Sequence, residues 1–430
     1  MMDPSSGAGA GDRKEISYRP FQIKILAATF LTYVGYYFCR RPFYVAKSAI
    51  ASEFAFTSID IAHLGTAYLT AYMVGQFSSA YFGRRLGPKL LLVAGMAVSI
   101  GSGVLFGLSN SFWTMMLFLA LNGLAQGTGW PGCIGSLAYW FKRKQRGTIL
   151  GFWATCYQVG QVAATFAASY LLGQAGWRWS FYGGSMILLF IWAIVLLLHP
   201  GTPEKAGLPP VEDDGESDPG AETPKQALGW DRDVIITILM MGMIYFCLKF
   251  LRYSLWSWLP WFLEKNYHLA RDTGGYYSTV FDICGLAGVI ASGYVSDRVF
   301  KGRRAFLSFM MMSIMTLSFL VMYLGGSASL AVFTVSVGVA GFMLFGPDSL
   351  ISGVGAIDVG SRRGALSAAG IINGMGSIGP IFQEEAIGWM YNRYSHDLVP
   401  ILILLVLVAA ASVLLMLVLW RRSVRGNANL

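Results

Sequence analysis

The chain has 430 residues, 55% of them hydrophobic and 13% charged, with a mean hydropathy of +0.54. A soluble globular protein carries about a quarter charged residues, so this composition excludes one. The net charge of +9 is divided among short turns between apolar runs, a distribution that sets membrane topology and does not build a nucleic-acid surface.

The first twenty residues are polar and lack the apolar core of a cleavable signal, so residues 1–20 read as a cytoplasmic tail and the first span as its own anchor. Apolar runs long enough to cross a hydrocarbon core of about 30 Å then predict twelve helices. They lie near 21–50, 59–83, 88–108, 112–139, 147–172, 178–199, 233–263, 270–295, 305–325, 328–352, 363–390 and 398–420. The expected architecture is all-α, with two six-helix bundles over 21–199 and 233–420. Residues 200–232, rich in Pro, Gly and acids, read as a mobile cytoplasmic linker, and 421–430 as a cytoplasmic C-terminal tail. Lys and Arg crowd the turns after spans 2, 4, 8 and 10 and the C-terminus, whereas the opposite loops hold only Arg178, Lys265, Arg271 and Arg393. The positive-inside rule therefore places both termini and the linker in the cytoplasm. Cys39, Cys133, Cys156, Cys247 and Cys284 all fall in apolar spans without metal-ligand spacing, and read as small buried residues.

Within the spans, a few polar residues stand out. Span 1 contains YVGYYFCRRPFYVAKS (33–48), with Arg40 and Arg41 deep in apolar sequence and Pro42 expected to kink or locally unwind the helix. A cation at that depth costs roughly 2.5–3.5 kcal/mol, and a guanidinium matches phosphate or carboxylate with two parallel bonds. Arg40 reads as an anion ligand; for Arg41 a structural ion pair is an equal reading. Span 4 carries Asn122 and Gln126 one turn apart on a single face. Span 7 reads YFCLKFLRYSLWSWLPWF (245–262), with Lys249 and Arg252 on one face at the depth of Arg40 and Arg41. Tyr36, Tyr37, Tyr245, Tyr253 and Trp256 wall these cations with rings, either as packing or as ligand contacts. Asp282, in the middle of span 8, is expected to pair with Lys249 or Arg252, as a switchable partner or as a permanent bridge. Glu384 and Glu385 in span 11 point about 100° apart; they read as charge-pairing or proton-coupling groups, or as residues near the outer interface. Asp348 in span 10 raises the same alternatives.

The basic turns GRRLGPK (83–89) and GYVSDRVFKGRR (293–304) occupy equivalent places in the two halves. Six plus six helices with these turns resemble the major facilitator superfamily over about residues 20–420. The first turn departs from the pattern, having Arg84 and Arg85 where the second has Asp297, which weakens any gating pair there. NGLAQGTGWP (122–131), YYFCRRPF (36–43), LRYSLWSW (251–258) and FDICG (281–285) resemble the organophosphate:phosphate antiporter family. The resemblance implies that Arg40 and Arg252 are the phosphate-binding arginines, that Asp282 is the family's eighth-helix carboxylate, and that Lys249 is the seventh-helix lysine of the eukaryotic exchanger branch. A second-helix lysine found in several members falls on Gln76, and a fifth-helix histidine of the bacterial carriers falls on Tyr157. These departures bear on substrate identity.

The function expected from this reading is exchange of an organic phosphate for inorganic phosphate by alternating access. Arg40, Arg252 and Lys249 would hold the phosphate, and Gln126, Tyr36, Tyr37 and Tyr157 would meet the organic portion. The expected protein is a monomeric multi-pass carrier in the lipid bilayer, of the inner membrane if bacterial, with no cofactor, metal or nucleic-acid partner. Two other readings are a proton-coupled symporter of another organic anion, carried by Glu384 or Asp282, and a non-transporting sugar-phosphate sensor on the same fold. No nucleophile–base pair suggests an enzyme.

Overall fold

The computed structural model describes residues 18–211, 232–300, 304–351 and 356–424. The N-terminal tail before Tyr18, most of the linker, part of the turn after span 8 and the last six residues lie outside them, as do the side chains of Arg84 and Asp297. The pairing expected of the two basic turns is therefore outside the described residues.

The described residues form helices only, grouped into twelve spanning segments. In the first half these are α1 (Arg19–Phe54), α2 (Ser58–Leu86), α3 (Pro88–Leu108), a fourth span built from α4 (Phe112–Gln126) and α5 (Gly129–Trp140), a fifth built from α6 (Arg143–Trp153) and α7 (Cys156–Ala175), and α8 (Trp177–Leu198). The second half comprises α9 (Arg232–Tyr267), α10 (Arg271–Arg298), α11 (Arg304–Val321), α12 (Leu330–Ser349), α13 (Ala356–Arg393) and α14 (Val399–Val424). At 1.5 Å per residue, the 36 residues of α1 and of α9 extend well beyond the hydrocarbon core. Arg40 and Arg252 thus stand in the interior of long helices, with further turns on both sides.

Pro42 does not interrupt α1, which stays helical through it. A proline withholds the amide that the carbonyl four residues earlier would accept, here that of Phe38. Gly184 of α8 lies directly against that carbonyl, so the helices close over the defect without unwinding. The fourth span is what breaks, at Gly127–Thr128, immediately after Gln126. Gly123 there packs against the Tyr68 backbone of α2, and Gly127 against that of Gly75 and Gln76. Small residues four apart bring two membrane helices to backbone contact, and this seats Gln126 next to α1.

The linker differs from its expectation at its start. Residues Glu204–Ala206 form a single 3₁₀ turn, and Trp140 Nε1 donates to the Gly201 carbonyl at 2.8 Å. His199 Nδ1 accepts the Gly201 amide at 3.1 Å while Nε2 faces Ser136 Oγ at 2.9 Å. Leu208 packs against the apolar cluster that contains Ile25 and Trp140. Apolar and hydrogen-bonding residues hidden among the Pro and Gly thus dock the first ten linker residues onto α1 and α5.

The halves meet through α2 against α13, α7 against α10, and α1 against α9 and α10. These contacts gather at the helix ends opposite the basic turns: Ser58 Oγ donates to Gly388 O at 2.9 Å, Ser48 bonds Glu264, and Gly275 packs closely against Ser169 and Val45. The outer end is closed.

The α2–α4 contact gives a test of this packing. Gly123→Leu forces a side chain into the Tyr68 carbonyl, and overpacking of this kind costs about 1–3 kcal/mol. We expect a lowered unfolding midpoint in detergent, whereas Gly101→Leu, with open space at its Cβ, leaves the midpoint in place. Equal midpoints for both variants would contradict the assigned contact.

Candidate functional site

Arg40 is 8% exposed and has no carboxylate beside it among the described residues. Its Nε donates to Gln126 Oε1 at 2.9 Å, and the same oxygen accepts Tyr68 Oη at 2.9 Å. The rings of Tyr72, Tyr37 and Tyr68 lie 4.8, 5.3 and 5.7 Å from its guanidinium carbon. Ring quadrupoles stabilise a cation without neutralising it, so the charge remains available. Gln126 is itself held: its Nε2 donates to Tyr36 O at 3.1 Å and to Asn122 Oδ1 at 3.0 Å. Asn122 donates to Cys39 O at 2.8 Å and accepts from Ser99 at 2.6 Å. The two amides on one face of α4 thus fix the rotamer of Arg40, with Asn122 acting through Gln126.

Arg252 faces the same centre from α9. Its Nη1 donates to Asp348 Oδ2 at 3.1 Å, with the two side chains 17% and 12% exposed. Phe345 and Trp256 flank the guanidinium at 4.6 and 6.0 Å. The Arg252 Nε is buried and has no hydrogen-bond partner among the described residues, a donor still owed an acceptor. One turn earlier, Lys249 Nζ donates to Asn373 Oδ1 at 2.8 Å and approaches Ser377 at 3.4 Å and the Tyr245 ring at 4.8 Å. Tyr37 and Tyr253 lie within electrostatic reach of both Arg40 and Arg252, and Tyr37 meets Trp256 edge-on at 6.2 Å. The two halves therefore contribute their arginines to one aromatic-walled centre.

Several expected residues sit elsewhere. Arg41 is sealed between the halves, donating to Thr165 Oγ1 at 2.6 Å and Trp256 O at 3.1 Å. Asp282 does not bond Lys249 or Arg252, as expected from the sequence; Gln161 donates to it, and Arg41 is the strongest cationic influence on it, ahead of Arg252. The reason is register: α10 packs on α7 and α1, and this turns Asp282 toward the fifth span. Tyr36 bonds Thr128 at 2.9 Å inside the first bundle and does not wall the cations. Tyr157 stacks on Trp130 at 5.7 Å and meets Tyr33 edge-on at 4.8 Å, on the basic side of Arg40.

Glu384 and Glu385 diverge as their spacing requires. Glu385 is exposed and meets His63 of α2 at 3.0 Å across the halves. Glu384 is wholly buried and pairs with Lys47, itself wholly buried. Lys47 also donates to Ser257 Oγ at 2.6 Å and sits 3.9 Å from the Trp258 ring. Ser257, Trp258 and Gln383 donate to the carboxylate at 2.8, 3.2 and 2.8 Å. Sequence reasoning passed over Lys47, Tyr68, Tyr72 and Gln161. Lys47 was detectable, because it lies seven residues after Arg40 and so on the same helix face. Gln161 carries no charge and gives no such signal.

Removing one partner of a buried pair strands the other and costs about 3–5 kcal/mol, whereas replacing both by apolar groups is often neutral. Lys47→Met should therefore sharply lower the unfolding midpoint in detergent, and adding Glu384→Met should recover most of the loss. A double variant as unstable as the single one would show that the two residues are not coupled.

The sequence profile of the Major Facilitator Superfamily matches residues 25–384. Among curated proteins, the chain is 26% identical to the glycerol-3-phosphate transporter of Bacillus subtilis, covering 90% of this chain and 89% of the relative. It is 24% identical to the "Probable hexose phosphate transport protein" of Chlamydia pneumoniae, over 96% and 94% of the two chains. Among solved structures, a bacterial homolog of the human lysosomal transporter Spinster, inward-facing and unoccupied, superposes with a TM-score of 0.69 at 16% identity, covering 94% of this chain and 96% of that one. A nucleoside transporter gives 0.69 at 14% identity, over 93% and 99%. The chain belongs to the Major Facilitator Superfamily, and is an integral multi-pass membrane transporter.

Proposed function

We propose that this member of the superfamily exchanges a phosphorylated small molecule for inorganic phosphate, with Arg40 and Arg252 as the two ligands of the phosphoryl group. The relatives named as glycerol-3-phosphate and hexose phosphate transporters support the substrate class. The observation that carries the reading is a charge balance. Among the described residues, the interior holds five cations (Arg40, Arg41, Lys47, Lys249 and Arg252) and three carboxylates (Asp282, Asp348 and Glu384). Lys47 is matched by Glu384, Arg41 lies within electrostatic reach of Asp282, and Arg252 is bonded to Asp348. Two positive charges are left over. A phosphate monoester or hydrogen phosphate above its second ionisation near pH 6 carries about two negative ones.

A desolvated surplus of two charges is costly in a medium of low dielectric. The empty centre therefore favours a state open to water, and a bound dianion permits both halves to close over it. One anion must replace another before the halves rock back, which is the physical basis of exchange around a midplane site. Tyr37 and Gln126 stand beside the phosphoryl position, and Tyr157 lies on the basic side of Arg40. Both arginines come from one chain, so a monomer suffices. Proton-coupled symport through Glu384 or Asp282 has less support, because Lys47 and Gln161 already occupy those carboxylates.

The test is counterflow in proteoliposomes loaded with phosphate, with glycerol-3-phosphate, hexose phosphates or free sugars outside. Arg40→Lys and Arg252→Lys keep the charge but lose the planar fork. Hydrogen bonds to charged groups contribute about 1.5–3 kcal/mol, so we expect exchange to fall by roughly tenfold to a hundredfold. Transport of free sugars at the rate of their phosphates would overturn the proposal.

A further inference from the structure

The two arginines hold pseudo-equivalent places, yet their partners differ in charge. Arg40, on the first helix of its half, bonds Gln126 of the fourth span. Arg252, on the first helix of the other half, bonds Asp348 of α12, again the fourth span of its half. Each partner sits just before an irregularity in its helix, the break at Gly127–Thr128 in one case and the π-wound Leu350–Ile351 in the other. One guanidinium has a neutral amide as resident acceptor and the other an anion.

We propose that Asp348 is the specificity-determining residue for substrate charge, a resident counter-ion that limits the free charge of the site to two and so selects dianions over more highly charged phosphates. This rests on the phosphate-exchange reading above. Asp348 acts on Lys249 as well as on Arg252, so a single carboxylate tempers both cations of the second half. An incoming phosphoryl group meets Arg40 without competition. On the other side it takes up the unpartnered Arg252 Nε while Asp348 keeps Nη1. A third negative charge on the cargo would lie near the Asp348 carboxylate and be repelled. With Gln126 and Asn373 as uncharged acceptors of Arg40 and Lys249, Asp348 is the carboxyl group that bonds a cation of this centre among the described residues.

The experiment measures inhibition of phosphate/phosphate exchange in proteoliposomes at one pH above the second ionisation near 6. The competitors are dimethyl phosphate (a monoanion), glycerol-3-phosphate (a dianion), 3-phosphoglycerate (a trianion) and fructose 1,6-bisphosphate. Removing one charge close to the site should change relative affinities by about tenfold or more per unit of cargo charge. In Asp348→Asn, 3-phosphoglycerate and the bisphosphate should therefore gain on glycerol-3-phosphate, and Asp348→Glu should keep the wild-type order. Asn373→Asp adds a carboxylate at Lys249 and should shift the order the other way, toward dimethyl phosphate. This second variant decides the matter if Asp348→Asn does not fold. An unchanged order in Asp348→Asn, the same shift in Asp348→Glu, or no shift in Asn373→Asp overturns the inference while leaving phosphate exchange standing. Wild-type protein that exchanges no phosphate overturns the underlying function, and the inference with it.

Discussion

Cations cannot be left unmatched in a layer that excludes water, and this constraint organises the molecule. A charge at membrane depth is retained only where a carboxylate, a ring face, a polar side chain or a cargo meets it. The structure uses three of these in graded fashion. Lys47 is fully neutralised by Glu384 and hidden from solvent. Arg252 is partly neutralised by Asp348. Among the described residues, Arg40 is held by Gln126 and three tyrosine rings. Neutralisation thus falls from the outer closure toward the centre, so the anion of the proposed exchange has the most to gain where the protein itself supplies least.

The packing serves that gradient. Gly123 and Gly127 let α2 and the fourth span touch backbones, which delivers Gln126 to α1 with its amide already bonded to Asn122 and to the Tyr36 carbonyl. Gly65 of α2 lies directly against the Glu384 carboxylate, so no bulky side chain separates the halves at the outer closure. Close approach matters for both features, since a buried charge is stabilised by contacts of a few ångströms and little beyond.

The twelve spans and the two central arginines were legible in the sequence, because the first are runs of apolar residues and the second interrupt such runs. What the sequence withholds is pairing. A carboxylate in an apolar helix announces that it has a partner without saying which. Glu384 finds its own 337 positions away at Lys47, and Asp282 finds Gln161, 121 positions away. Both depend on how the halves dock and on helix rotation, which hydrophobic periodicity does not encode at that resolution. Tyr36 and Tyr37 make the same point at closest range. They are neighbours in one motif, yet a 100° turn sends Tyr36 to Thr128 inside the bundle and Tyr37 to Arg40. The start of the linker was misread for a different reason: its composition suggests mobility, but Gly201 and Leu208 supply a carbonyl and an apolar side chain that fit the Trp140 surface.

The outer closure is itself asymmetric, and this bears on how the proposed exchange would alternate. If the halves part there, Glu384 keeps three donors from its own half, namely Ser257, Trp258 and Gln383. Among the described residues of its own half, Lys47 keeps the faces of Phe43 and Tyr44, 5.4 and 5.6 Å away. Opening therefore strands the lysine and not the carboxylate. An ammonium stranded on the face of α1 that bears Arg40, one and a half to two turns outward of it, attracts anions toward the centre from the outer side. On the proposed exchange, the residue that holds the outer end shut becomes, once released, a cation on the outer side of Arg40. Closure and capture are then two states of one side chain.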